Sequence, residues 1–146
     1  MAIATQATVT GSGTSVSSIS ASSWTPSAND LILVWVACRS GVTVSSMSGN
    51  GITFAKVVED LQSPQNQCTL SLWRGMSASP STGQITATLS GTAAAAIMVA
   101  HRISGADTSG SNGSGAIGAS AIANTGATDT ASPSVHITTT AANSRV

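Results

Sequence analysis

Charge is almost missing from this chain. Five Lys or Arg and five Asp or Glu make up 7% of 146 residues and cancel to zero net charge; an ordinary soluble domain carries about 25%. With no basic stripe to meet phosphates, nucleic acid is excluded as a partner, and an anionic membrane surface finds nothing to attract. Long apolar runs are missing too. The longest, 31–38 and 93–100, fall well short of the roughly 18 to 20 residues that a membrane-spanning helix needs, so no membrane insertion is expected. Tyr is absent and Phe occurs once, which removes the residue that binding surfaces most often use for combined stacking and hydrogen bonding. The opening Met1-Ala2-Ile3-Ala4-Thr5-Gln6 has neither the basic nor the apolar region of a secretory signal; the expectation is either a signal removed and replaced by a start Met, or a protein made and assembled inside a host cell, giving a virion or extracellular location. Cysteine is limited to Cys38 and Cys68. With no His beside either, they make no zinc site; two buried free thiols are expected, with a disulfide as the alternative.

What fills the chain instead is Ser, Thr, Ala and Gly, more than half of all positions. The surface they build is neutral and hydroxyl-rich, and proteins near zero net charge tend to associate. The Val, Ile, Leu, Met and Trp that remain are enough for one core, so disorder is excluded and residues 1–146 read as a single domain.

Strand-forming runs punctuated by Gly, Pro, Asn and Ser recur along the chain. Residues 3–10 read as a first strand, ended by Gly11-Ser12-Gly13, and 15–20 as a weak second. Residues 31–38 form the strongest strand, apolar on both faces. It should be central and covered on both sides, or covered on one side by a neighbouring subunit, with Trp35 in the core. A strand over 42–48 leads to Gly49-Asn50-Gly51, a hairpin signal, with 52–61 as the return strand. Ser63-Pro64-Gln65-Asn66 makes the next turn. In 68–74 the alternation puts Cys68, Leu70 and Leu72 inward and Trp73 on the other face. Strands follow over 84–90 and 92–103; in the second, four alanines favour helix, but the β neighbours decide. Residues 105–133 form a long Gly/Ser/Ala-rich loop region holding a short edge strand at 117–122, and 135–140 is the last strand. The expectation is then a domain that is either truncated or completed by a neighbouring chain.

The run Trp24-Thr25-Pro26-Ser27-Ala28-Asn29-Asp30-Leu31-Ile32-Leu33-Val34, with Ser48-Gly49-Asn50-Gly51-Ile52-Thr53-Phe54, resembles openings and hairpins of jelly-roll-like β-sandwich proteins of phage particles and bacterial surfaces. Asn29 stands where those have Gly, and Asn also takes left-handed backbone angles. The resemblance implies a β-sandwich in a structural or adhesive setting, and no catalytic residue.

Reactive constellations are not assembled. Gly113-Ser114-Gly115-Ala116-Ile117-Gly118 fits a dinucleotide fingerprint, but lacks the strand before it and the helix after it that would aim amides at a pyrophosphate. A catalytic Ser would need His101 or His136; His101 shares parity with Ile97, Val99 and Ile103 and reads as structural, and His136 as solvent-facing. Glu59 and Asp60 are adjacent on a strand and point to opposite faces, so they make no glycosidase pair. Asp30, Asp107 and Asp129 read as turn or capping residues, not a calcium loop. No cofactor or metal is expected. Trp24 and Trp73 are the candidate glycan or partner contacts.

The reading is therefore an all-β, antiparallel β-sandwich of jelly-roll type. Its expected function is that of a non-enzymatic structural subunit of a virion or an extracellular filament, partnered by copies of itself and other structural proteins. A carbohydrate-binding or adhesion module is the alternative.

Overall fold

The computed structural model describes residues 2–61, 68–123 and 134–138. Among the described residues, six antiparallel strands make one sheet: β1 (Ala4–Ser20), β2 (Leu31–Cys38), β3 (Val44–Gly49), β4 (Phe54–Leu61), β5 (Thr69–Gly75) and β6 (Ile85–Ser104). The fold is all-β. The strand order is β1-β6-β2-β5-β4, with β3 also paired to β6.

β1 and β6 are far longer than the usual five or six residues because two expected breaks are absent. Gly11-Ser12-Gly13 continues as strand, so 3–10 and 15–20 are one element. Residues 84–90 and 92–103 fuse through Gly91. β6 is held from both sides: β1 lines one edge, while β2 pairs with its second half and β3 with its first. Ladder bonds on both edges outweigh the weak breaking tendency of a single Gly and the helix tendency of the alanines. The irregularity falls where the partner changes. Val16 pairs with Ala93 but Ser18 pairs with Thr88, so residues 89–92 bulge out opposite Ser17, and a bulge bends the strand that carries it.

The bend lets residues from both halves reach one core. Ile85, Ala87 and Leu89 of β6, Ile19 of β1, and Val44 and Met47 of β3 join Ile32, Val34, Val36 and Cys38 of β2, Trp73 of β5, and Ala96, Met98 and Ala100 of β6 in a single buried cluster.

The Asn-Gly turn forms as its sequence demands. Asn50 and Gly51 have φ of 54° and 63°, and Ile52 N donates to Gly49 O at 3.0 Å, as in a type I′ turn. It does not close a hairpin: β3 pairs with β6 and β4 with β5. Local backbone chemistry set the turn, and the apolar residues on either side of it chose different partners. Asn29 takes the left-handed φ of 61°, as its standing in place of Gly suggested, in a turn where Asp30 N donates to Ser27 O at 3.3 Å.

Residues 105–123 contain no strand, so the expected edge strand at 117–122 is not formed; the segment holds only a 3-10 turn, Ser114–Ala116. Its apolar content, Ile117 and Ile122 among Gly, Ala and Ser, is too sparse to hold an edge. Residues 134–138 are exposed and carry no strand, so the expected last strand is not formed over 135–138, while 139–140 lie outside the described residues. The expected turn at 63–66 lies outside them as well.

Candidate functional site

Two expected side-chain placements are reversed. In β5 the buried residues are Thr69, Ser71 and Trp73, whereas Leu70 is 39% exposed and Leu72 partly so. In β2, Trp35 is 38% exposed. Both strands carry apolar residues on both faces, so hydrophobicity could not say which face turns inward. The inner one is set by Ile32, Val34, Val36 and Cys38, all buried. Thr69 and Ser71 follow because Cys38 pairs with Thr69 and Val36 with Ser71, and paired residues share a face. Trp73 supplies the bulk that Ser71 lacks, and its Nε1 donates to Ser71 Oγ at 3.2 Å.

The outward face is consequently apolar. Cross-strand registers order it into three rows. The central row runs Val58, Leu72, Trp35, Val99, Thr10 across β4, β5, β2, β6 and β1. On one side lies Asp60, Leu70, Ala37, Ile97, Ser12, and on the other Ala55, Arg74, Leu33, His101, Thr8. Ile97 is 51% exposed. The ionised side chains of these rows are Asp60 and Arg74, one in each flanking row, on the neighbouring strands β4 and β5. Nε of Arg74 is buried with no hydrogen-bond partner among the described residues.

The indoles chosen from sequence stand elsewhere. Trp73 is 7% exposed, and the Lys56 ammonium lies 5.2 Å from its ring centroid, held there by a 2.8 Å bond to Glu59. A ring buried on this scale offers no face to a sugar. Trp24 is partly buried at a corner built around Asn50. Trp24 Nε1 donates to Asn50 Oδ1 at 3.2 Å, and Asn50 Nδ2 lies 2.9–3.2 Å from the carbonyls of Trp24, Ser81 and Gly83. Two N–H groups are shared among three acceptors. Trp24 also pairs with Gly83 through an isolated bridge. This corner pins the β1–β2 and β5–β6 connections together, and every polar atom of Asn50's side chain is engaged in it.

The titratable groups are also committed. His101 Nδ1 lies 2.9 Å from Thr8 Oγ1, a hydroxyl beside an imidazole; making such a pair nucleophilic takes an orienting carboxylate and an oxyanion pocket. The carboxylates have other work. Asp30 Oδ2 lies 3.3 Å from Arg102 Nε, at an angle that makes a charge contact without a hydrogen bond. Glu59 holds Lys56. Asp107 Oδ1 accepts Ser109 N at 2.8 Å, and that bond lowers its pKa below the usual carboxylate value. His136 is exposed, as expected; Asp129 lies outside the described residues. Among the described residues no three His, Cys, Asp or Glu side chains converge as a metal site. Gly113 and Ser114 sit in a tight loop with Ser111 N donating to Ser114 Oγ and only the three-residue 3-10 turn beyond, which aims no helix N-terminus at a ligand. Cys38 is buried and Cys68 partly so, both free thiols; burial, with Cys68 and Glu59 nearby, pushes the Cys38 thiol's pKa up.

No family model, curated protein or solved structure matches the chain. The site is therefore read from its own geometry, and the broad feature that the sequence under-reported is the outward face. Its signal was present in the two-sided apolarity of Leu31–Cys38.

Proposed function

We propose that this chain is a structural subunit, without enzymatic activity, that packs against copies of itself and other structural proteins in a virion or an extracellular filament. The observation that carries the reading is the outward sheet face: Trp35, Leu70 and Ile97 stand exposed together, within rows whose ionised groups, Asp60 and Arg74, are confined to β4 and β5 at one side of the sheet. Scattered exposed apolar residues are ordinary, but a contiguous patch marks an interaction site. We further propose that the bent sheet is a β-sandwich of jelly-roll type, which accounts for both halves of β6 contributing to one core.

The glycan-binding alternative is left with one surface indole, Trp35, since Trp73 is buried and Trp24 is tied to Asn50. Size-exclusion chromatography over a range of concentrations, with electron microscopy of the eluted material, tests the reading. Ordered assemblies are expected. A well-behaved monomer that binds a glycan contradicts it.

A further inference from the structure

The three rows of the outward face have a symmetry of their own. Asp60 lies on one side of the central Val58–Leu72–Trp35–Val99 row and Arg74 on the other, each in the row next to it. Consider a second copy laid face to face about a two-fold axis in the plane of the interface, running along that central row. The axis reverses the strand direction and leaves the order across the sheet unchanged. Each copy's Asp60 row then lies against the other's Arg74 row. Leu70 faces Arg74 of the second copy, and Asp60 stands one strand spacing away, about 4.8 Å laterally, within an arginine's reach. Ala37 faces Leu33, so the smallest side chain of one row meets a large one of the other, and Ser12 faces Thr8.

We propose that this face is the contact between two copies of the chain, isologous about that axis, with Trp35, Leu72 and Val99 meeting their own counterparts and Arg74 pairing with Asp60 across the interface. The inference rests on the structural-subunit reading and names the surface it uses. A second copy suits the face better than a charged partner does. The face is neutral overall, so a partner of one sign gains nothing, while Asp60 and Arg74 of opposite copies come within reach of each other when the face meets itself. Arg74 also brings a buried Nε without a hydrogen-bond partner among the described residues, and such a group costs free energy until it is met. The three rows span roughly 19 Å by roughly 14 Å, a footprint well under the approximately 800 Å² per partner of a stable interface. The pair is weak alone, with a dissociation constant of about 10 μM to 1 mM, as befits a contact summed with others in an assembly.

Sedimentation equilibrium of the full chain up to about 1 mM tests this, together with tryptophan emission across the same range. A monomer–dimer equilibrium is expected, with emission shifting to the blue as the dimer fills. Trp35→Arg should raise the dissociation constant at least about tenfold, and Arg74→Glu about tenfold. Combining Arg74→Glu with Asp60→Arg should restore it to within about threefold of the original. Circular dichroism confirms that each variant is folded, and the emission shift of the unaltered chain stands as a readout that needs no variant. A chain that stays monomeric throughout overturns the proposal, as does a double reversal that fails to restore association, or an emission that is fully blue-shifted at every concentration. Ordered assemblies that persist unchanged in Trp35→Arg overturn this pairing alone. A chain that forms no assembly under any condition overturns the structural-subunit reading with it.

Discussion

Asn50 concentrates more structure than any other single polar residue here. It is 4% exposed, takes a left-handed φ and bonds four groups on two other segments. The carbonyls of Trp24 and Gly83 keep their bridge bonds without it, so the groups that lose most are Trp24 Nε1 and Ser81 O. Asn50→Ala should destabilise the fold by about 2–4 kcal/mol in urea unfolding. Asn50→Gly should cost roughly 1 kcal/mol less, because Gly takes φ > 0 without strain while losing the same side-chain bonds; equal costs would mean the backbone conformation carries no strain. Cys38 makes a second statement at this scale. Its folded pKa is raised, so folded and unfolded chains bind the same proton below the unfolded thiol value of about 8.5. Above it the unfolded chain ionises first, and stability falls as pH rises towards the folded pKa. Urea unfolding at pH 7 and pH 10 should show that loss, and Cys38→Val should reduce it.

At the scale of elements, the contrast between neighbours in the β2–β6 pair reads out which face is inside. Met98 is fully buried and pairs with Val36; Val99, next along, pairs with Trp35 on the outward face. Met98→Ala should cost about 2–5 kcal/mol, whereas Trp35→Ser should cost the monomer under about 1 kcal/mol, both by chemical unfolding at low concentration; comparable losses would place Trp35 in a core. The elements also show how far the sequence was readable. β2 and β4, rich in β-branched and apolar residues, and the Asn-Gly turn were legible because their signals are local. The continuity of β1 was not, since its Ser, Thr and Gly residues carry little apolar alternation, and the ladder that holds it comes from β6, remote in sequence. The inward side of β5 was illegible for a sharper reason. Its more hydrophobic face is the one turned outward, and the choice was made by register to β2, which no periodicity reveals.

For the whole molecule, near-neutrality and an apolar outward face are one property seen twice. Ionised side chains sit at strand ends, at corners or in pairs such as Asp30–Arg102 and Lys56–Glu59, which leaves the middle of the outward face without the charge that would keep copies apart. The two-sided apolarity of β2 announced that some cover was needed, but placing Trp35, Leu72 and Val99 in one row required the registers of three strands. The most direct test of the account is whether that row meets itself. In a chain carrying Cys38→Val and Cys68→Ser, Leu72→Cys should be linked into dimers by a short bis-maleimide, which can bridge the approximately 10 Å between packed sheets where a direct disulfide cannot. Ser48→Cys, at an exposed position of β3, serves as the control for random collision. Dimer yield at position 72 that rises with concentration and far exceeds that at position 48 is the predicted result; equal yields at the two positions would contradict the account.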